Sequence, residues 1–307
     1  MSETLRGGVI GAGVFGAYHA RQYARLPGVN LAAVHDPHPE RAAALAMPLG
    51  GRAFSEMDAF LEAVDVVTVA SPAPFHAAQA LAAVQAGKSV YIEKPIATVV
   101  ADAAKVAEAA ARAGCVVACG HQERVLFGVM GLFDIPAQPL RLEAVRHGTP
   151  SERSLDVSVV LDLMIHDLDL ALSLSSAEPV TAEGEGDIVR SGAWDTARAE
   201  VTFDDGFTAL FDVSRQAQAR KRTMKIVYPS GELEIDFLTR AFRNTTGFSL
   251  NPDFAETPAA QDTLGASIEG FLAAVRGEAP RPVVTAAEAI RALDLALAVE
   301  QGLEPGG

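Results

Sequence analysis

The sequence has only two cysteines in 307 residues, Cys115 and Cys119, flanking the apolar run Val116-Val117-Ala118. A disulfide framework and a four-ligand zinc site both need more thiols, or thiols with histidine company, so both are excluded. The two are expected to be small buried side chains. Positive charge is also scarce: 25 Lys and Arg stand against 39 Asp and Glu, a formal net charge of −14. A field of that sign opposes encounters with nucleic acid and with anionic membranes, and an anionic ligand then has to meet a local cluster of cations. No run approaches the ~20 apolar residues that cross a bilayer, and the first residues lack the cationic segment and apolar stretch of an export signal. The expectation is a cytoplasmic protein. With 49% of its residues apolar, the chain can fill one large or two medium cores.

Along the first part of the chain short apolar strands alternate with helices. A strand ending at Ile10 runs through a glycine turn into a helix over 17–26, stopped by Pro27-Gly28. A second strand over 31–35 ends at Asp36. Helices over 39–46, 74–86 and 98–113 then alternate with strands over 64–70, 89–92 and 115–120. That pattern predicts an α/β fold with a doubly wound parallel sheet, a Rossmann domain over residues 1–120. From residue 121 the pattern changes. A helix near 123–133 and a strand over 140–147 precede a helix over 159–174. Period-two strands then follow over 196–203, 207–213, 223–228 and 232–237, with hairpin turns at Asp204-Asp205-Gly206 and Pro229-Ser230-Gly231. Helices over 267–275 and 286–301 close the chain. Residues 121–307 are thus expected to form an α+β domain with an open, largely antiparallel sheet. One face of that sheet should pack on helices, while the other meets solvent or a partner in a homodimer or homotetramer.

Three groups of residues carry chemistry. In Gly11-Ala12-Gly13-Val14-Phe15-Gly16, Gly11 allows the tight turn, Gly13 a close backbone approach to a pyrophosphate, and Gly16 close packing of helix on sheet. The helix N-terminus then faces the phosphates. Asp36, at the end of the next strand, suits the ribose hydroxyls, and with no arginine directly after it the residues favour NAD over NADP. Tyr91-Ile92-Glu93-Lys94-Pro95 ends a later parallel strand, where open α/β sheets place ligands, so Lys94 can donate to a substrate hydroxyl. In the helix over 159–174, Asp162, His166 and Asp169 share one stripe, while Leu161, Ile165, Leu168 and Leu172 form a core stripe. Asp162 and His166 also suit a metal, but no third ligand stands at the right spacing, and no metal is expected.

These segments, in this order, resemble the glucose-fructose oxidoreductase and inositol dehydrogenase family (Gfo/Idh/MocA). The resemblance implies Lys94, Asp162 and His166 as the catalytic trio, a cis Lys94–Pro95 bond, and a loop and helix beside the dinucleotide at Ser71 and His76, with Glu93 alongside. Within the family, the segments from Gly120-His121-Gln122-Glu123-Arg124 and Asp156 to Asp162 most resemble the branch that oxidises UDP-N-acetylglucosamine at C3. Val125-Leu126-Phe127 and Ser158 depart from that branch. In this reading hydride leaves a substrate CH–OH for NAD while His166 takes the hydroxyl proton, Lys94 polarises the oxygen and Asp162 orients them, although Lys94 and His166 can exchange roles. His121, Arg124 and Arg153 are expected at the substrate, the two arginines with Arg146 facing its diphosphate. A free sugar or inositol is the alternative substrate, and a non-catalytic dinucleotide sensor the alternative outside enzymes.

Overall fold

The computed structural model describes residues 4–151 and 155–306. The chain forms two compact units, Met1–Gln122 with Asp262–Ile290, and Glu123–Gln261 with Arg291–Gly307.

The first unit begins as strands and helices in alternation: β1 (Leu5–Ile10), α1 (Val14–Arg25), β2 (Val29–His35), α2 (Pro39–Ala46), β3 (Arg52–Phe54), α3 (Met57–Glu62), β4 (Val66–Val69), α4 (His76–Gln85), β5 (Ser89–Ile92), α5 (Val100–Ala113) and β6 (Val117–Cys119). The six strands form one parallel sheet in the order β3-β2-β1-β4-β5-β6. Because β1 lies between β2 and β4, the winding reverses at β1, and the carboxyl ends of β1 and β4 open a crevice. Every residue of β4 is buried, as a strand covered on both faces must be.

The second unit contains α6 (Glu123–Met130), β7 (Arg141–His147), a π-helical turn (Val160–Met164), α7 (Ile165–Leu174), β8 (Pro179–Asp187), β9 (Thr196–Phe203), β10 (Thr208–Ser214), β11 (Lys221–Tyr228), β12 (Gly231–Asp236), β13 (Phe242–Asn244) and α8 (Pro258–Gln261). Two helices and a strand follow: α9 (Thr263–Val275), α10 (Ala286–Gln301) and β14 (Leu303–Pro305). Eight strands form a sheet in the order β13-β12-β11-β7-β10-β9-β8-β14, parallel only at β7–β10 and β8–β14. Alternate residues of β9, β10 and β12 are buried, so one face carries the core and the other is polar.

The structure departs from the sequence reading at four places. The chain does not leave the first unit for good near residue 120, because α9 returns to it. Ile268, Phe271 and Leu272 pack in one cluster with Tyr23 and Tyr91, and the Tyr91 hydroxyl lies 3.0 Å from Ser267 Oγ. The helix expected over 159–174 starts as a π-turn, which inserts an extra residue before α7 and turns the later side chains relative to the earlier ones. Strand β8 lacks apolar alternation because it lies close to its neighbour: a Cβ at Gly184 would sit 2.1 Å from Arg198 O, and one at Gly186 would sit 2.6 Å from Thr196 O. Finally, Cys119 is buried, but Cys115 at the end of α5 is partly exposed.

Candidate active site

In the first unit the crevice is built mostly from backbone. Gly11 has a positive φ of 99°, and a Cβ there would sit 2.8 Å from Ala70 O and Ser71 N. A Cβ at Gly16 would sit 1.8 Å from Gly11 O, so α1 can start this close to the strand only with glycine. At Gly13 a Cβ would meet nothing within 4 Å. Gly13 is also the N-cap of α1, with no side chain capping the helix, so the first backbone N–H groups remain available to an anion. Val14 and Phe15 are exposed on the first turn. Asp36 is buried, with Oδ2 accepting from Ala12 N at 2.8 Å and Oδ1 from His38 N at 2.9 Å. These two bonds tie the carboxylate to the glycine loop, and each oxygen keeps a lone pair for a hydroxyl. The residues present therefore fit a dinucleotide.

The neighbouring side chains mainly hold loops. Both ring nitrogens of His76 lie on carbonyls, Pro95 O at 2.7 Å and Ser71 O at 2.8 Å, so His76 braces two loops and is not turned toward a ligand. Ser71 donates to Gln79 Oε1 at 2.6 Å. Glu93 is buried with Oε1 2.7 Å from His19 Nε2. Burial alone would raise its pKa, but the hydrogen bond and charge of His19, with the charge of Lys94, hold it below the usual carboxylate range. Lys94 follows at the strand end, half-buried, and the Lys94–Pro95 bond is cis. His121 is also buried, directly beyond β6.

In the second unit a lattice of charged side chains surrounds His166. Arg146, on β7 and only 2% exposed, donates through Nε and Nη2 to Asp167, both at 2.8 Å. Its Nη1 donates to Glu123 Oε1 at 2.9 Å. The other oxygen of Glu123 lies 2.8 Å from His166 Nδ1. A carboxylate only accepts, so this contact favours a proton on Nδ1 of His166. Burial would push the Glu123 carboxyl up, but His166 and Arg146 hold it well below the usual range. Arg124 forks onto Asp169 from Nε at 2.8 Å and Nη2 at 2.7 Å, and both residues are buried.

This geometry revises several expectations. Arg124 and Arg146 lie in buried ion pairs and are not open to a diphosphate. Arg153 lies outside the described residues. Asp169 leaves the expected stripe to pair with Arg124, while Asp162 sits in the π-turn a few residues before His166. Leu161, Ile165, Leu168 and Leu172 are all buried, as their spacing predicts. The carboxylate on His166 is Glu123, which sequence reasoning passed over; it belongs to a different helix, and no spacing along the chain links the two. Ser158 donates to Glu300 and accepts from Leu161 N at 3.2 Å, anchoring the start of the π-turn. Among the described residues no cluster of three His, Cys, Asp or Glu is arranged to hold a metal, and no helix is long and apolar enough to cross a membrane.

Comparison with known proteins identifies the family. The profile described as "Oxidoreductase family, NAD-binding Rossmann fold" (GFO_IDH_MocA) matches residues 5–121, and that of the GFO/IDH/MocA C-terminal domain matches residues 141–234. UDP-N-acetylglucosamine 3-dehydrogenase of Acidithiobacillus ferrooxidans is 37% identical over 284 residues, 90% of each chain. The chain belongs to the Gfo/Idh/MocA family. It is an NAD-dependent oxidoreductase. A solved structure of UDP-N-acetylglucosamine 3-dehydrogenase GnnA from A. ferrooxidans superimposes with a TM-score of 0.91 at 36% identity, covering 99% of both chains. Inositol 2-dehydrogenase 3 of Saccharopolyspora erythraea is 35% identical, but over 59% of this chain and 56% of its own.

Proposed function

We propose that this protein oxidises the C3 hydroxyl of UDP-N-acetylglucosamine, producing the 3-keto sugar and NADH. The observation that carries the chemistry is the Glu123–His166 contact, which sets a carboxylate 2.8 Å from His166 Nδ1. The substrate reading is supported by the likeness to the A. ferrooxidans enzyme over 90% of both chains. NAD supplies the hydride acceptor. The O–H proton passes to His166 Nε2 as the C3–H bond gives up its electron pair, so the carbon–oxygen bond becomes a carbonyl and one proton is released per NADH. Imidazolium formation is favoured by the carboxylate of Glu123 on Nδ1, as in other histidine bases oriented by a carboxylate. Lys94 donates to the substrate oxygen and steadies charge developing on it, and Asp162 orients the hydroxyl. Gly11, Gly13, Gly16 and Asp36 hold the dinucleotide, with Val14 and Phe15 on the first turn of α1 beside it.

The open face of the second sheet mixes both signs, with Arg141 and Arg198 among Glu143, Glu183, Glu200 and Asp212. We infer that a second copy of this chain covers that face; light scattering would then report a dimer or tetramer. The enzyme works in the reducing cytoplasm with its two cysteines as thiols.

The test is NADH formation at 340 nm with UDP-N-acetylglucosamine, with the ketone removed by a coupled aminotransferase. NADH is expected with the nucleotide sugar. Turnover with inositol or a free hexose, and none with UDP-N-acetylglucosamine, would overturn the substrate while leaving the family in place.

A further inference from the structure

An acidic chain that binds a diphosphate needs local cations, yet Arg124 and Arg146 are occupied by carboxylates. Strand β11 carries another. Met224, Ile226 and Tyr228 on it are buried, so Arg222 has the same parity and extends the core face beyond its last apolar residue. It stands directly opposite Arg146 in the β7–β11 ladder, and opposed residues share a face. Arg222 is half-buried, and among the described residues its guanidinium makes no hydrogen bond or ion pair.

The nearby carboxylates cannot readily serve it. Both oxygens of Asp167 accept from Arg146, and those of Glu123 are shared between Arg146 and His166. Burial and the charge of Arg146, with a further contribution from Arg220, hold the Arg222 pKa below the ordinary arginine value, although Glu123 and Asp167 pull the other way. Like charges directly opposed on a sheet are unfavourable, and an oxyanion between them would relieve that. The position is one step across the ladder from the residue that holds Glu123, and so close to the proposed base.

We propose that Arg222 is the anion anchor of the substrate site, its guanidinium fork receiving phosphate oxygens of the nucleotide-sugar diphosphate. The inference rests on the function proposed above, but the chemistry it recognises, a fixed oxyanion, is shared by the carboxylate of a sugar acid. Planar arginine forks match both, and a partly desolvated arginine loses less hydration on binding than a fully exposed one.

The experiment measures binding of UDP, inorganic diphosphate, glucuronate and myo-inositol to the NAD-loaded enzyme by calorimetry, and KM and kcat for UDP-N-acetylglucosamine. The parent is compared with Arg222→Gln, Arg222→Lys and Lys221→Gln, the last removing the same charge from the adjacent position on the opposite face. Arg222→Gln is expected to weaken UDP and raise KM by about 10- to 100-fold, the range for losing charge-assisted hydrogen bonds. Little change is expected in kcat or in NAD affinity. Arg222→Lys should recover part of the loss, and Lys221→Gln should match the parent. Should Arg222→Gln fail to fold, Arg222→Lys carries the comparison, with a several-fold loss expected because the fork is gone while the charge remains. If the parent ignores UDP but binds glucuronate through Arg222, the anchor stands and the nucleotide-sugar reading falls. If UDP, diphosphate and glucuronate bind the Arg222 variants as they bind the parent, if none binds the parent, or if myo-inositol is lost equally, the anchor is wrong.

Discussion

The two units meet their ligands with different materials. In the first, backbone provides the crevice: a glycine turn, an uncapped helix start and one carboxylate tied to the loop by Ala12 N and His38 N. Two of its buried histidines, His19 and His76, hold other protein groups. In the second, side chains from α6, β7 and α7 interlock around His166. Holding phosphates with peptide N–H groups requires only that a short segment take one shape. Moving a proton requires a side chain whose basicity is set by other side chains, and these come from wherever the fold supplies them.

The contrast is sharpest if the chemistry is removed while the crevice is kept. His166→Asn and Lys94→Met are each expected to lower kcat by ~10²–10⁴-fold, with NAD affinity measured by fluorescence titration unchanged. Near-parent turnover in either variant would remove that residue from the reaction. Arg146→Met should act on stability: it leaves Asp167 and Glu123 as buried carboxylates without their cation, at a cost of about 3–5 kcal/mol in denaturant unfolding. A change below ~1 kcal/mol would mean that the lattice contributes little to folding.

Glu123→Gln separates orientation from basicity. The amide can still accept from Nδ1 but carries no charge, so kcat should fall by roughly 10-fold, and the acid limb of the kcat/KM profile should move to lower pH by about one unit. The charged groups on this side of His166 include Glu123 on α6, Arg146 on β7, and Asp162 and Asp167 before and after it in the chain, and Glu123 lies 2.8 Å from Nδ1. An unmoved limb would exclude Glu123 from setting the base. The same carboxylate sets an acid limit to stability. Its folded pKa lies well below the ordinary 4.5, so its contribution is complete above that value and disappears as pH falls through the folded pKa. Thermal melts of the parent should weaken below about pH 4.5, and those of Glu123→Gln less so. The smallest effect is expected in the first unit. Asp36→Ala should narrow the preference for NAD over NADP by about 10-fold, since it removes one charge opposite the ribose and leaves the glycine turn intact. Equal affinities in the parent would contradict the role assigned to Asp36.

Much of the first unit could be read along the chain because its determinants are local. A glycine every few residues at a strand end, an aspartate at the next strand end, and short apolar strands at regular intervals each act within a few residues of themselves. The return of α9 could not be read this way. Its apolar face would suit either core, and the choice depends on Tyr91 and Tyr23 presenting a matching surface. In the second unit, strand alternation was legible, and so was the presence of Asp162 and His166. Which carboxylate met which base was not.

Local periodicity and turn chemistry therefore determined from sequence alone that this chain makes a dinucleotide-binding parallel sheet followed by an open, largely antiparallel one, that Lys94 follows a parallel strand, and that His166 lies near Asp162 in a helical segment. Only the tertiary structure decided how the charges pair. An arginine reads the same in sequence whether it will meet a buried carboxylate, as Arg124 and Arg146 do, or make no hydrogen bond or ion pair among the described residues, as Arg222 does. Pairing is a question of distances of a few ångströms between segments that lie far apart along the chain. Coulomb energy and desolvation act on those distances and not on order in the sequence.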